Sequence, residues 1–148
     1  MPNNLDDHFR KLERLYRDAP INRFYEPALT VSEGAAELSI DLHPKMHHAI
    51  GAVHGSVYFK ALDDSAFFAA NSVEPDVFLL TASFNIYMMR PVSEGRITAQ
   101  GRLTHRSGRL YFAEASLEDG DGNLIGRGSG TFMRSKLPLM PESGYKLE

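Results

Sequence analysis

The chain has 148 residues, of which 43% are hydrophobic and 24% charged, and its formal net charge is −3. This length suits one domain with a substantial core, and the composition is that of an ordinary globular protein. The acidic balance argues against nucleic-acid binding, and the absence of cysteine excludes disulfides, thiolate metal sites and a cysteine nucleophile. We expect a cytoplasmic protein, because the N-terminus lacks an apolar signal core and no apolar run approaches the ~20 residues of a membrane span.

The first segment, residues 1–22, is predicted to form an amphipathic helix that ends near Ala19–Pro20. Apolar side chains recur in it at helical spacing: Leu5, Phe9, Leu12 and Tyr16. We expect this helix to cover part of a sheet within the same domain. A short strand around Ala28–Val31, a turn at Glu33–Gly34 and a half-buried strand over Leu38–Leu42 follow it.

The segment 52–71, AVHGSVYFKALDDSAFFAAN, is apolar on almost every side, which is typical of a buried helix. Two carboxylates, Asp63 and Asp64, nevertheless lie near its middle. Asp64 follows Lys60 by four residues, so we interpret it as a partner of that lysine or of solvent. Asp63 has phenylalanines four residues before and after it, and desolvation would raise its pKa. It is either a chemically active carboxylate or an interface carboxylate satisfied by backbone or water.

The helix begins at His54–Gly55–Ser56. Free N–H groups at a helix N-terminus can hold an oxygen that becomes negative in a reaction, and a glycine lets a ligand approach them closely. Asp63 lies roughly 12 Å from Gly55 along the helix, so the two cannot serve one site within one chain. They could share a site in a two-fold dimer with antiparallel helices.

Alternation of apolar and polar residues predicts four strands after the helix, at residues 80–88, 97–104, 110–117 and 124–133. Turns are predicted at His105–Gly108 and at residues 119–123. We expect an antiparallel meander, followed by an extended or mobile tail from Ser135 on. Because a long apolar helix is buried only if the sheet wraps it, we predict an α+β fold with a curved antiparallel sheet around one central helix.

The motif HGSVYFKALD, His54 to Asp63, resembles that of the hotdog-fold acyl-CoA thioesterases, in particular the PaaI-type branch of the 4-hydroxybenzoyl-CoA thioesterase superfamily. That family has His-Gly-Gly and then an Asp nine residues after the His, within an apolar central helix. The stretches DSAFFAAN, TASFNIYMMRPVSEG and the last two strands are also similar. The resemblance covers residues 35–134 approximately, and it implies a single hotdog domain, which we place at 23–135, with a C-terminal tail at 136–148.

The resemblance implies hydrolysis of an acyl-CoA thioester, with Asp63 as general base on water or as nucleophile on the carbonyl. It implies that the backbone N–H of Gly55, contributed by the other subunit, polarises that carbonyl. It also implies that His54 shapes the site and that Thr81 helps to position the water. For Thr81, an ordinary surface position in a strand is the alternative.

Two positions depart from the family pattern. Ser56 stands at the second motif glycine, where it is a candidate substrate contact or a helix cap. His48 stands where the family often has an asparagine whose amide binds the substrate carbonyl. A histidine can also donate a hydrogen bond and would add pH sensitivity, although His47 and His48 could be ordinary loop residues. We expect no metal site, because no acidic partner stands at ligand spacing from the histidines, and no cofactor, because CoA is part of the substrate.

Phosphates of CoA need cationic partners, and the candidates are Arg90, Arg106 and Arg109, each of which could also be a solvated arginine at a strand end. We expect a homodimer, and a dimer of dimers, because a lone curved sheet exposes an edge and half-built sites. No nucleic-acid or membrane partner is expected. A non-catalytic module that binds acyl-CoA is the main alternative, and a dehydratase or hydratase on the same fold is less favoured. The acyl group stays open.

Overall fold

The computed structural model describes residues 4–148, so Met1, Pro2 and Asn3 of the predicted segment 1–22 lie outside the described part. No helix in this part of the chain has the length and apolar character needed to cross a membrane. The helices and strands in chain order are α1 (Leu5–Arg17), α2 (Asn22–Tyr25), β1 (Ala28–Ser32), β2 (Ala35–Asp41), α3 (Gly55–Asn71), β3 (Val77–Met88), β4 (Arg96–Ser107), β5 (Leu110–Glu118) and β6 (Leu124–Pro138).

The six strands form one antiparallel sheet in the order β1-β2-β4-β5-β6-β3. Helix α3 contacts all six of them, so the sheet curves around the helix. Most of the α3 side chains are buried there, as the continuous apolar sequence requires. The predicted α+β hotdog fold, with a curved antiparallel sheet around one long central helix, is confirmed.

The predicted four-strand meander is wrong for its first strand. Strands β4, β5 and β6 are neighbours in turn, but β3 pairs with β6 and forms the edge of the sheet opposite β1. The inward face of β6 explains this pairing. A Cβ on Gly128 or on Gly130 would collide with the ring of Phe84, so the two glycines make the space that this β3 side chain fills.

Several predicted strand boundaries also differ. Strand β4 continues to Ser107, so the turn consists of Gly108 and Arg109, and His105 belongs to the strand. Strand β6 runs to Pro138, beyond its predicted end at Met133. The predicted division of the chain into residues 1–22, 23–135 and 136–148 stays a prediction.

The tail after β6 returns to α1, where the hydroxyl of Tyr145 lies 2.6 Å from Nδ1 of His8. Helix α1 itself forms as predicted. Its N-cap Asn4 accepts a hydrogen bond from the amide of Asp6, and its buried face includes Phe9 and Leu12. This helix covers the β1 edge of the sheet, which becomes important for the proposed assembly.

Strand β4 meets the backbone of α3 directly at Gly101. A Cβ at this position would overlap the carbonyl group of Ser65 and would lie 2.7 Å from the amide nitrogen of Ala66. Both α3 residues are fully buried. Backbone atoms cannot rotate away as the end of a flexible side chain can, so Gly101 fixes how deeply α3 sits in the sheet.

We predict that Gly101→Ala lowers the free energy of unfolding by about 3 kcal/mol, because the added methyl group forces the helix and the sheet apart. Urea unfolding followed by circular dichroism measures the effect. Gly120→Ala is the matched control, since a Cβ there would meet only the carbonyl oxygen of Arg96 at 3.7 Å, and we expect a change within ~0.5 kcal/mol. Equal effects of the two substitutions would contradict the close contact at Gly101.

Candidate active site

Asp63 lies on the face of α3 that turns toward the edge strand β3. Its Oδ1 accepts a hydrogen bond of 3.1 Å from the hydroxyl of Thr81, which follows it by eighteen residues in the sequence. The exposed ring of Phe59, one turn earlier on the helix, packs edge-on against Phe84 at 5.7 Å between ring centres. Thr81 is itself exposed, and its hydroxyl binds the carboxylate beside an aromatic pair, so its role at the site stays a prediction.

Burial raises the pKa of Asp63 to about 6, and the neighbouring charge of Asp64 acts in the same direction. The hydrogen bond from Thr81 and the charge of Lys60 act against this rise. A carboxylate with such a pKa is ionised at neutral pH, yet it binds a proton far more strongly than an exposed aspartate does. This is the property of a general base that works near pH 7.

Asp64 has the lysine partner that the sequence predicts. Its Oδ2 lies 2.8 Å from Nζ of Lys60, and its side chain is 18% exposed. The alternative of a solvated Asp64 is wrong, because α1 covers it and the hydroxyl of Tyr16 donates a second hydrogen bond to the same oxygen at 2.6 Å. The two adjacent aspartates therefore have different surroundings, one facing β3 and the other facing α1.

A cavity of about 340 Å³ opens at the N-terminal end of α3. Gly55, His48 and Arg90 line it together with Tyr58 and Met88, so the structure brings three predicted site residues to one place. The hydroxyl of Tyr58 donates to the carbonyl oxygen of Arg90 at 2.6 Å and fixes the chain that follows β3. Within residues 4–148 the amide of Gly55 donates no hydrogen bond, as expected for the first turn of a helix.

His54, and not Ser56, caps the N-terminus of α3. The Nδ1 atom of His54 accepts from the amide of Ser56 at 3.0 Å and lies 2.8 Å from its hydroxyl. The predicted cap at Ser56 is therefore wrong. Because Nδ1 is the acceptor, the proton of neutral His54 is on Nε2.

His48 has the same tautomer. Its Nδ1 accepts from the amide of Ile50 at 3.1 Å, so the neutral ring carries its proton on Nε2 as a donor. The preceding histidine differs, since Nε2 of His47 lies 2.8 Å from the carbonyl oxygen of Ser93 and ties the loop to the segment after β3. His48 can therefore donate a hydrogen bond from the wall of the cavity, as the asparagine of the family pattern would.

Arg106 and Arg109 lie at the other end of the sheet. The guanidinium of Arg106 stacks on the ring of Tyr111 at 4.7 Å, and Tyr111 donates to Glu74, which follows the C-terminus of α3. Arg109 reaches the carbonyl oxygen of Arg134 at 3.5 Å. Helix α3 is about 25 Å long, so within one protomer these arginines do not join Arg90 at the cavity.

Comparison with known proteins identifies the family. A model of the thioesterase superfamily matches residues 50–125, which include the whole of α3 and the strands β3 to β5. The chain belongs to the thioesterase superfamily.

Similar proteins and solved structures agree with the match. A protein of Saccharolobus solfataricus, whose name classes it provisionally as an esterase, is 27% identical over 103 residues, which cover 70% of this chain and 69% of that protein. The fold is similar to that of the PaaI protein from the phenylacetic acid degradation operon of E. coli, with a TM-score of 0.81, 16% identity and coverage of 90% and 96% of the two chains. A mutant of the PaaI protein from Thermus thermophilus gives a TM-score of 0.71 at 19% identity, with coverage of 78% and 99%.

Membership of the thioesterase superfamily makes the protein a thioester hydrolase. Two important neighbours escaped the sequence reasoning: Tyr16 and Met88. Each looked like an ordinary apolar position in a helix or strand. No local spacing connects Tyr16 with Asp64, which are 48 residues apart, so only the packing of α1 on α3 could bring them together.

The raised pKa of Asp63 predicts that its charge destabilises the fold above pH 6. The native pKa is about 6 against 3.8 for the ordinary group, so the native state binds the proton more tightly. The resulting stabilisation is complete below pH 3.8 and is lost as the pH rises through 6. We therefore expect Asp63→Asn to raise the free energy of unfolding at pH 8 by roughly 1–3 kcal/mol.

Urea unfolding at pH 8 and pH 4.5, at one protein concentration, tests this expectation. The gain from Asp63→Asn should shrink at the lower pH, where the wild-type carboxyl is protonated. Asp121→Asn removes an exposed carboxylate in the turn before β6 and should change little at either pH. A gain that is independent of pH would show that charge is not its cause.

Proposed function

We propose that this protein hydrolyses an acyl-CoA thioester to the free acid and CoA, in a homodimer whose sites each combine residues of two subunits. The observation that carries the proposal is the half-buried carboxylate of Asp63, which accepts a hydrogen bond from Thr81 and has a pKa of about 6. Membership of the thioesterase superfamily supports the reaction type. The PaaI fold likeness supports the architecture alone.

The two edges of the sheet support the dimer. At the β1 edge, α1 takes the free backbone groups: the amide of Val31 donates to Glu13 at 2.8 Å and its carbonyl oxygen accepts from Arg10 at 2.7 Å. At the opposite edge, β3 has no neighbour on its outer side within the described chain. Its exposed apolar residues include Leu80 at 48% and Tyr87 at 69%. An open edge of this kind is a surface for pairing with a second copy.

Two-fold pairing of the β3 strands would place the two α3 helices side by side and antiparallel. The free amide of Gly55 in one subunit would then face Asp63 of the other, which closes the ~12 Å gap that separates them within a chain. His48 and Arg90 come with Gly55, because all three line one cavity. We propose that Arg90 contacts CoA, whereas contact by Arg106, Arg109 or Ser56 stays a prediction.

Hydrolysis can follow two routes in this site. As a base, Asp63 takes a proton from water while the water oxygen attacks the carbonyl carbon. As a nucleophile, it attacks that carbon itself, and water then cleaves the resulting anhydride. In both routes the Gly55 amide stabilises the negative carbonyl oxygen, the carbon–sulfur bond breaks, and the thiolate of CoA leaves and takes up a proton.

Related proposals extend from the family and the composition. We place the protein in the cytoplasm, a reducing compartment that suits a chain without cysteine. We also propose that two dimers associate, as the family resemblance implies. The free Nε2 proton of His48 supports retention of the substrate contact, and it weakens the alternative of a module without catalysis.

The first test is release of free thiol from a panel of acyl-CoAs. We expect turnover of at least one thioester and a loss of at least ~100-fold in Asp63→Asn, which keeps the volume and removes the charge. Asp121→Asn should keep full activity. If the wild-type protein binds an acyl-CoA but does not hydrolyse it, the hydrolase proposal is wrong and the non-catalytic binding module is favoured. If Asp63→Asn keeps its activity, the proposed role of Asp63 is wrong.

The second test asks whether each site needs two subunits. Gly55→Pro removes the amide proton at a first helical position that accepts proline, and His54 before it is extended with ψ 143°. Gly55→Ala is the control, because it adds a Cβ against the same flexible Met88 but keeps the N–H. We expect Gly55→Pro to lose activity and Gly55→Ala to keep most of it.

Mixing Gly55→Pro with Asp63→Asn should then restore activity. After subunit exchange, a mixed dimer has one intact site, so equal mixing should recover about a quarter of wild-type activity. Light scattering confirms that each variant is dimeric. A mixture no more active than its two components would show that Gly55 and Asp63 do not meet across an interface.

A further inference from the structure

The second aspartate, Asp64, is held from two sides. Nζ of Lys60 and the hydroxyl of Tyr16 both contact its Oδ2, at 2.8 Å and 2.6 Å. The Tyr16 side chain is 5% exposed, and burial raises its pKa far above the ordinary value, so its hydroxyl stays protonated and donates. One carboxylate oxygen therefore receives a cation from α3 and a neutral donor from α1.

Lys60 is itself enclosed. Its side chain is 12% exposed, and Nζ lies 5.0 Å from the ring centre of Tyr16 and 5.1 Å from that of Tyr25. The three helices α1, α2 and α3 thus meet around one ammonium group, with two aromatic faces and one carboxylate as its neighbours. A partly buried ion pair of this kind contributes little to stability, because the desolvation of both charges opposes their attraction.

The position of the pair matters because Asp63 lies on the same helix turn. The charged groups that act on Asp63 are Asp64, whose charge favours the protonated form, and Lys60, whose charge favours the ionised form. The Thr81 hydroxyl on β3 is the further polar neighbour. The groups that face Asp64 are Lys60 and Tyr16, and Tyr25 faces Lys60.

We propose that Lys60 and Tyr16 hold Asp64 as a fixed anion and thereby control the ionisation of Asp63, which makes Tyr16 of α1 a positioning residue of the active site. This proposal rests on the proposed function of Asp63. Tyr16 lies outside residues 50–125, which match the family model. The N-terminal helix therefore gives the site of this protein an electrostatic control that depends on the docking of α1.

The ionisation of Asp63 can be measured without activity. Carboxyl ¹³C chemical shifts of the full-length protein are followed from pH 4 to pH 9, and the Asp63 signal is assigned by its loss in Asp63→Asn. We expect Asp64→Asn to lower the pKa of Asp63, because it removes a negative neighbour. We expect Lys60→Gln to raise it, because the positive neighbour is gone. Each change should alter the ionisation constant at least about threefold, in opposite directions.

Tyr16→Phe is the direct test of α1. It keeps the ring and removes only the hydroxyl, so the charge of Asp64 is less compensated and the pKa of Asp63 should rise. Tyr145→Phe is the matched control, since it removes a hydroxyl that contacts His8 of the same helix and does not touch Asp64. If Tyr16→Phe and Tyr145→Phe shift the pKa of Asp63 equally, the cause is weaker packing of α1 and not the loss of the hydrogen bond to Asp64. That result would overturn the proposal.

Kinetics gives the second readout. The acidic limb of the kcat/KM profile should move to lower pH in Asp64→Asn and to higher pH in Lys60→Gln and Tyr16→Phe, while Lys60→Arg stays near the wild type. If the NMR shifts occur but Asp63→Asn stays active, the control of ionisation stands and the proposed catalytic role of Asp63 fails. If Asp63→Asn is inactive but none of the three substitutions moves the Asp63 titration, the hydrolase stands and this proposal is overturned.

Discussion

The contact between the backbone of α3 and strand β4 determines the dimensions of the molecule. Gly101 has no side chain, so Ser65 and Ala66 of the helix rest on the strand itself. A helix seated this deeply is enclosed by six strands, so a charged side chain near its middle loses part of its hydration, which is energetically unfavourable. The unusual proton affinity of Asp63 follows from that depth, and so does the need for Thr81, Lys60 and Tyr16 around the two carboxylates.

Local patterns in the sequence were sufficient for α1, α3 and most strands, because periodicity reports which face of an element is buried, but the four-residue helix α2 was not predicted. The apolar composition of α3 also led directly to a sheet that wraps it. Strand order was beyond such reasoning, since β3 and β6 are separated by β4 and β5 in the chain. Their pairing depends on complementary shapes, the ring of Phe84 on one strand and the space at Gly128 and Gly130 on the other.

The site shows the same division. The family resemblance pointed to Asp63, Gly55 and His48, whose roles stay predictions, and the lysine at i−4 predicted the observed partner of Asp64. Of the two predicted roles of Ser56, the helix cap is wrong, because serine is a frequent cap in general but the loop before α3 places His54 at the cap position. Tyr16 could not be predicted as a site residue from the sequence, because its hydroxyl reaches Asp64 only when α1 docks on α3.

Met88 gives the N-terminal cavity a chemical vulnerability. Its sulfur lies where it would be 2.7 Å from a Cβ on Gly55, and its side chain is 57% exposed. A thioether is apolar and flexible, so it can move aside for a substrate, whereas peroxide would convert it into a bulkier, polar sulfoxide. Here the wall of the cavity carries a sulfur atom that oxidants can reach, and a methionine sulfoxide reductase would reverse the damage.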